Sequence, residues 1–409
     1  MKKLKAAVPT VCYTVLLLAI ALLSFLIAGK SGVTPTSAQN NAPSEEQDLP
    51  QPAEETETTP YDDVFPRNSV NGKQKIYGDG EVRLLEAVQT PVANYVVLSS
   101  DCKKGDISSS GPVTAVVKLN SDSDVISSYQ LSPEENFIAV RQTAVGLVLV
   151  TESADKKYAS LHVIGYDLIG ETNYKIPVAS SVFIVPTEKD FVLFATYPDE
   201  CVAYTLCDGK LLFQSIGKYS LVELFEYEDS YVLFCNELSG GFSVLTADKN
   251  TLSVTEKQRV SDEKILFVKP TPAGILTVEQ GEKIYARIYS VNMKQRLKEK
   301  DLGSANVQKT FRADTGVVLT YEDSACVILR DDLTAELIET SYNVLLDVIS
   351  INGSDHFLFK DATGNIFFEN ESPFTQAENA IVLPSPKNTL TVITEKKDKY
   401  SYIEITALP

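Results

Sequence analysis

Two histidines, His162 and His356, are the sequence's candidates for general acid–base catalysis. A serine or cysteine nucleophile needs such a base beside it, and neither histidine lies in a recognisable nucleophile motif. His162 falls in the strand-like run YASLHVIGY and His356 in the turn of GSDHFLF. We therefore predict structural roles for both histidines.

Carboxylates could supply a different chemistry, because a glycosidase needs two of them a few ångströms apart. The loop carboxylates that could form such a pair are Asp199, Glu200, Glu322 and Asp323. No pattern in the sequence selects two of these four. With no catalytic residue assigned, we predict that the chain is not an enzyme.

Metal and cofactor sites have few residues to use. The turns NSDSD (Asn120–Asp124) and KDATGN (Lys360–Asn365) carry oxygen ligands, but neither matches a calcium loop with its closing glutamate. The body cysteines are Cys102, Cys201, Cys207, Cys235 and Cys326. They form no CxxC pair, and the odd number is not a disulfide framework. No GxGxxG or P-loop pattern occurs, so we predict neither a metal nor a cofactor.

Composition indicates a folded acidic body. Apolar residues make up 44% of the 409 residues and charged residues 22%, which is enough apolar content for a buried core. The net charge is −18, with acidic residues spread along the whole chain. That charge opposes binding to nucleic acid or to anionic lipid head groups.

The N-terminus carries a candidate membrane segment. Lysines at positions 2, 3 and 5 precede an uncharged apolar run over residues 11–28, which approaches the thickness of a bilayer core. The run is long for a signal peptide, and the candidate cleavage site at Thr36-Ser37-Ala38 lies well beyond its end. We predict a single-pass anchor with a cytoplasmic tail over residues 1–10 and everything after the run outside the cell; a cleaved signal peptide is the alternative.

Residues 29–70 are rich in Pro, Ser, Thr, Glu, Gln and Asn, with hardly an aliphatic side chain. Such a stretch cannot bury enough apolar surface to offset its ordering entropy. We predict a disordered acidic linker there, followed by one domain over residues 71–409.

The domain contains an internal repeat in which a turn residue precedes a short apolar block. The third residue of each block serves as a marker: Val96, Val148, Val192, Val232, Leu276, Val318, Phe357 and Leu390. The spacing averages about 42 residues. Periods near 40 to 45 with four strands each are typical of β-propeller blades.

Strand counting predicts how the ring closes. The last repeat offers three strands before the chain ends, whereas an extra extended piece, GKQKIYG (Gly72–Gly78), precedes the first repeat. Pairing the two would complete the last blade. We predict an all-β, eight-bladed propeller, with seven blades as the alternative because the outer strand SPFTQ of the seventh repeat is weak.

The run AYTLCDGKLLFQ (Ala203–Gln214) resembles the strand, Asp/Gly turn, strand step of quinoprotein-like propellers, and the repeat as a whole also resembles WD-repeat propellers. The resemblance implies architecture alone. The chain has no tryptophan, so the docking Trp of quinoprotein blades and the Trp-Asp ending of WD repeats are both absent.

The longest hairpin loop, Ser99–Pro112, lies in the first repeat, and long loops on rigid scaffolds often bind partners. Basic pairs occur in this loop and in the corresponding hairpins of repeats two and eight, which would be ring neighbours: Lys103, Lys104, Lys156, Lys157, Lys396 and Lys397. We predict that they form a partner-binding patch, although lysine is also common in exposed hairpin tips.

The functional hypothesis is a protein-binding or scaffolding module of the bacterial envelope, with an unidentified protein partner. One alternative is a carbohydrate- or peptide-binding sensor with its ligand in the central funnel. The other is a glycosidase-type hydrolase.

Overall fold

A computed structural model describes residues 67–70, 73–77 and 81–408 with short gaps. The gaps are residues 91, 101–112, 121, 132–134, 145, 188–189, 208, 305, 323–325, 339–342, 352, 370, 385–389 and 398–400. The predicted cytoplasmic tail, the predicted membrane segment and most of the predicted linker lie outside the described residues. Within the described part, no helix has the length and apolar character to cross a bilayer.

The described chain consists of β-strands arranged as eight sheets, each of which is one blade. Two strands precede the first blade: β1 (Arg67–Val70) and β2 (Lys73–Tyr77). Blade 1 contains β3 (Val82–Gln89), β4 (Asn94–Ser100), β5 (Val113–Leu119) and β6 (Val125–Gln130). Blade 2 contains β7 (Glu135–Gln142), β8 (Gly146–Ser153), β9 (Ala159–Gly165) and β10 (Glu171–Ile176). Blade 3 contains β11 (Ser181–Pro186), β12 (Phe191–Thr196), β13 (Cys201–Cys207) and β14 (Lys210–Gly217).

The next blades repeat the same antiparallel order. Blade 4 contains β15 (Tyr219–Glu226), β16 (Ser230–Glu237), β17 (Phe242–Asp248) and β18 (Val254–Ser261). Blade 5 contains β19 (Lys264–Thr271), β20 (Gly274–Gln280), β21 (Ile284–Tyr289) and β22 (Arg296–Asp301). Blade 6 contains β23 (Val307–Ala313), β24 (Gly316–Tyr321), β25 (Cys326–Arg330) and β26 (Ala335–Ile338).

The last two blades differ from this pattern. Blade 7 contains β27 (Val344–Ile351), β28 (Ser354–Lys360), β29 (Asn365–Phe368) and the short β30 (Thr375–Gln376). Blade 8 contains β31 (Asn379–Pro384), β32 (Leu390–Lys397) and β33 (Ser401–Leu408). The seventh repeat, whose weak outer strand lies in SPFTQ, therefore forms a separate blade. The prediction of eight blades is confirmed, and the seven-blade alternative is wrong.

The ring closes by pairing its two ends. Strand β2 pairs antiparallel with β33, so that Ile76 lies opposite Ile403 and supplies the fourth strand of blade 8. The predicted closure is confirmed. Strand β1 pairs with the outer edge of β2 as a fifth strand, so Arg67–Val70, inside the stretch predicted as linker, belongs to the last sheet.

The core is divided among the junctions between blades. Eight clusters of buried apolar side chains occur, one at each junction, including the junction where blade 8 meets blade 1. The repeat markers all lie on the second strand of a blade, which is covered by neighbours on both sides. The apolar repeat in the sequence is therefore the repeat of these junctions.

Most of the innermost strands contain a β-bulge that no sequence pattern predicts. Six of the eight pair with their second strands through a β-bulge at the same place. The bulged residues are Leu85, Ile138, Val222, Leu266, Gln308 and Leu346. A bulge bends its strand and increases the local twist, which suits the strand nearest the ring axis.

Glycine begins the second strand in three blades for a steric reason. A Cβ on Gly146, Gly274 or Gly316 would lie 2.0, 2.1 or 2.0 Å from a carbonyl oxygen of the adjacent third strand. No side chain fits there unless the backbone moves. Two strands approach closely at the position that begins these three copies of the sequence repeat, and glycine is required there for that reason.

Replacing Gly146 with alanine should lower the free energy of unfolding by about 2 to 4 kcal/mol, because the hairpin must open to admit the methyl group. The control is Gly170→Ala, where φ is +75° but no atom lies within 4 Å of the new Cβ. That change should cost only about 1 kcal/mol. Denaturant unfolding of both variants measures the difference, and equal losses would contradict the steric explanation.

Candidate functional site

One face of the ring carries the connections between the second and third strands of every blade, and we call it the hairpin face. Its connections are residues 101–112, 154–158, 197–200, 238–241, 281–283, 322–325, 361–364 and 398–400. The antiparallel order within each blade places all eight on the same side. The connection of blade 1 has twelve residues, whereas the others have three to five.

The described members of the predicted lysine patch belong to this face. Lys156 and Lys157 lie in the connection of blade 2, and Lys396 and Lys397 end β32 beside the connection of blade 8. Lys103 and Lys104 lie outside the described residues. The predicted partner-binding patch therefore has its described members on one face of blades 2 and 8, which flank blade 1, and its binding role stays a prediction.

Each described lysine of the patch contacts a carboxylate. Lys157 Nζ is 2.6 Å from Asp155 Oδ2, and the hydrogen bond from Lys157 holds the pKa of Asp155 at about 2. Lys396 Nζ is 2.7 Å from Glu404 Oε1 in a half-buried pair, and Lys397 Nζ is 3.2 Å from Glu81 Oε1. Lys156 is 3.9 Å from a carboxylate of its own hairpin. The side chains of Lys156, Lys157 and Lys397 remain exposed to solvent, whereas that of Lys396 is largely covered.

Beneath the hairpin face lies a buried polar cluster that sequence reasoning did not find. His162 on β9 is 1% exposed and lies between two carboxylates. Its Nε2 is 2.8 Å from Glu135 Oε2 on β7, and its Nδ1 contacts Glu171 on β10. Thr151 and Ser160 donate hydrogen bonds to Glu135 at 3.0 and 2.8 Å, respectively. The predicted strand position of His162 is confirmed, whereas His356 lies in β28 and not in a turn.

Charge pairing sets the protonation states in this His162 cluster. Burial alone would lower the pKa of His162, but its hydrogen bonds to Glu135 and Glu171 outweigh burial and raise that pKa to about 9. Burial likewise opposes ionisation of the two glutamates, yet contact with His162 lowers the pKa of both. The cluster is therefore an imidazolium held between two carboxylates, and Tyr129 of blade 1 donates a hydrogen bond to one of them, Glu171.

Blade 5 has a related cluster. Arg287 on β21 contacts Glu279 and Glu263, and its Nε is 2.7 Å from Glu299 Oε2. His162 and Arg287 occupy corresponding places in blades 2 and 5. In each blade the second strand begins with a glycine, and the residue three positions after that glycine pairs with His162 or with Arg287. Burial opposes the charge of Arg287, but the surrounding carboxylates raise its pKa.

A polar cleft of about 530 Å³ lies beside this second cluster, between blades 4 and 5. Its lining includes Arg259, Arg287, Tyr289, Lys294 and Arg296. Arg259 is already paired with Glu237 and Asp262, both at 2.8 Å, and Arg296 is 2.5 Å from Glu299. Such paired groups present fixed hydrogen-bond donors and acceptors without a large net charge.

The inner strands carry ion pairs between blades. Arg141 of blade 2 contacts Glu86 of blade 1, and Arg312 of blade 6 contacts Glu223 of blade 4. Arg312 also donates a 3.1 Å hydrogen bond to the carbonyl of Val268 in blade 5, so its side chain links three consecutive blades. Both glutamates directly follow an inner-strand bulge.

Within the described ranges, no group of three or more His, Cys, Asp and Glu side chains is placed to hold a metal ion. Asn120 accepts hydrogen bonds from backbone amides of its own turn, and Asp361 does the same in the turn of blade 7. Cys201 and Cys235 are buried free thiols. The carboxyls whose pKa is raised by burial, Asp190, Asp347 and Glu395, belong to blades 3, 7 and 8.

These features define the class: the described chain is an eight-bladed β-propeller with charged clusters beneath its hairpin face. Its fold is similar to that of BamB from Moraxella catarrhalis, at 12% identity and a TM-score of 0.50, covering 84% of this chain and 97% of that one. It is also similar to the Dos1 propeller, at 12% identity and a TM-score of 0.54, covering 80% and 95%.

A third similar structure is the dihydro-heme d1 dehydrogenase NirN in complex with DHE, at 10% identity and a TM-score of 0.50, covering 72% of this chain and 70% of that one. At such identities the likeness shows the fold alone. No protein-family model and no curated protein matches the sequence.

Proposed function

We propose that this chain is a membrane-anchored, extracytoplasmic propeller that binds a protein partner as a scaffolding module of the bacterial envelope. The observation that carries the proposal is the hairpin face. There, the exposed side chains of Lys156, Lys157 and Lys397 lie on one side of the closed ring, and the sequence has twelve residues between β4 and β5 in the blade that separates them. A rigid ring holds the strand ends that carry these lysines at fixed positions, which limits the entropy lost when a partner binds.

The anchored location rests on the sequence. The basic N-terminus and the uncharged run at residues 11–28 fit a single-pass anchor with the propeller outside the cell. The acidic, proline-containing linker would extend and hold the propeller away from the membrane. The net charge of −18 of the whole chain also opposes adsorption to anionic lipid.

The cleft between blades 4 and 5 favours a second candidate, a sensor for a carbohydrate or peptide. Its paired arginines supply donors and its carboxylates supply acceptors, as a polar uncharged ligand requires. The third hypothesis, a hydrolase, expects a close pair of carboxylates with raised pKa. Among the described residues, the carboxyls whose pKa is raised by burial are those of Asp190, Asp347 and Glu395, from which such a pair would have to come.

Site-specific photocrosslinking on intact cells tests the proposal. A photoreactive residue is placed at Lys157 on the hairpin face or at exposed Asn250 on the opposite face, and adducts are identified by mass spectrometry. We expect a defined protein adduct from position 157 and none from position 250. We also expect Lys156→Glu combined with Lys157→Glu to reduce the yield of an adduct formed from position 397 by about tenfold.

The other outcomes are equally informative. Adducts with cell-wall polymer alone would favour the carbohydrate-binding candidate. Absence of any adduct from positions 157 and 397 would contradict the protein-binding proposal. Protease accessibility of the propeller on intact cells tests its predicted location separately.

A further inference from the structure

Strand β14, the outer edge of blade 3, lacks the charges that protect the outer strands β10, β18 and β22. Exposed sheet edges invite pairing with another chain, and natural proteins usually block them with charged side chains, lysine above all. Strands β10, β18 and β22 each carry at least two charged residues. In β14, KLLFQSIG, no charged residue follows Lys210.

The same edge exposes two large apolar side chains. Leu212 and Phe213 are 49% and 46% exposed, and because they are consecutive they project from opposite faces of the sheet. Strand β6 of blade 1 is also uncharged, but it is shorter and exposes one such residue, Ile126. Among the described outer strands, β14 therefore has the most extensive unprotected apolar edge.

The backbone of β14 is arranged to accept another strand. Cys207 and Lys210 flank a two-residue hairpin loop and pair with each other, so they exchange the first hydrogen bonds of this ladder. Alternate residues then direct their N–H and C=O groups away from the sheet: Leu211, Phe213 and Ser215. The carbonyl of Ser215 accepts only a 3.2 Å hydrogen bond from the neighbouring Gln214 side chain, which agrees with an outward direction.

Blade 8 demonstrates that this fold accepts a fifth strand. There, β1 pairs antiparallel with the outer edge of β2 over four residues. The geometry at the outer edge of a blade is thus compatible with strand addition, and blade 3 presents the same kind of edge without an occupant among the described residues.

Two lysines bracket the edge. Lys210 begins β14 and Lys218 directly follows it; both are exposed, and within the described residues neither contacts a carboxylate. Glu200, in the connection before β13, accepts a 2.6 Å hydrogen bond from Ser215 of this strand. An apolar segment with acidic residues beyond its ends would therefore match both the apolar edge and its flanking charges.

We propose that β14 binds an extended segment of a partner protein by strand addition, and that this segment is apolar with acidic flanks. The inference rests on the proposed protein-binding function and names the kind of partner. A second copy of this chain is disfavoured as the occupant, because two chains of net charge −18 repel each other. Backbone pairing would supply affinity and the side chains beside Leu212 and Phe213 would supply specificity.

The test uses the full-length chain purified in detergent and two synthetic peptides of alternating threonine and valine. One peptide has two glutamates at each end and the other has two lysines. We expect the acidic peptide to bind at least about tenfold more tightly by fluorescence anisotropy, even though the net charge of the protein favours the basic one. Bound peptide should also slow amide hydrogen exchange at residues 211–215.

Leu212→Lys and Phe213→Lys should each abolish peptide binding, whereas Leu297→Lys on β22, where the side chain is 47% exposed, should leave it unchanged. Circular dichroism checks that all three variants are folded. Equal binding of both peptides, slowed exchange away from β14, or self-association that Phe213→Lys abolishes would overturn the proposal. If crosslinking from position 157 finds a protein while these peptide experiments fail, the scaffolding function stands and strand addition does not.

Discussion

Replacing Ile76 with aspartate is expected to open the ring and to lower the free energy of unfolding by about 4 kcal/mol or more. Ile76 is 1% exposed, lies opposite Ile403, and packs in the cluster where blade 8 meets blade 1. A carboxylate at that position would be buried without a partner. Strand β2 is the fourth strand of blade 8, and β1 pairs with the blade only through β2. If β2 separates from β33, blade 8 therefore keeps three strands.

The matched control is Leu337→Asp on β26, where the leucine is 62% exposed. It makes the same chemical change on a solvent-facing strand and should cost less than about 0.5 kcal/mol. Ile76→Val, which removes one methylene group, should cost about 1 kcal/mol. Thermal unfolding with limited proteolysis measures all three, and equal unfolding temperatures for Ile76→Asp and Leu337→Asp would contradict the closure.

The second large effect is expected from His162→Gln, which removes the cation from between Glu135 and Glu171. Both glutamates would then be buried near each other without a positive partner. Breaking a buried ion pair by removing one member typically costs about 3 to 5 kcal/mol. Denaturant unfolding at pH 7 should show a loss of that size, whereas His356→Gln, at an exposed position, should change stability by less than about 0.5 kcal/mol.

The pH dependence follows from the directions of the pKa shifts. The pKa of His162 is raised from 6.5 to about 9, so its stabilising contribution is full below about pH 6.5 and is lost as the pH rises through about 9. The pKa values of Glu135 and Glu171 are lowered from 4.5, so their contribution is present above pH 4.5 and is lost as the pH falls through the folded values. The cluster therefore stabilises the fold most between about pH 4.5 and 6.5.

The difference in stability between wild type and His162→Gln should accordingly shrink above pH 9, where the imidazole is neutral in both folded and unfolded wild type. It should also shrink in acid, where protonation relieves the unpaired glutamates of the variant. Unfolding curves measured across pH 4 to 10 test this profile. A difference that does not change with pH would show that His162 acts through packing alone.

The blade repeat and the ring closure were predictable because both follow from short strand-like runs that can be counted along the sequence. Each marker, such as Val148 in GLVLV, lies in a short apolar block whose period follows from one blade packing on the next. The extra strand at Lys73–Tyr77 was visible because the last repeat lacked one. Strand β1 was not predictable, since the residues RNSV have no apolar alternation and their pairing is through the backbone.

The charged clusters could not be derived from the sequence for a different reason. His162 meets Glu135 and Glu171 from three different strands, and Tyr129 comes from the preceding blade. Such contacts depend on the register in which the strands pair. The inner-strand bulges change that register within the blade, and no residue type predicts where they occur. The one available signal was the change from apolar to polar residues at Thr151 in the second strand, GLVLVTES, which indicates a polar partner nearby.

The most direct test of the closed ring is a disulfide between its two ends. Lys75 lies opposite Glu404 in the β2–β33 pair, so cysteines at these positions should be close enough to bridge. Tyr402 lies two residues out of register from Lys75, at about 8 Å by strand geometry, which is too far to bridge. The account predicts rapid oxidation of Lys75→Cys/Glu404→Cys and none of Lys75→Cys/Tyr402→Cys; equal oxidation of the two pairs, or of neither, would contradict it.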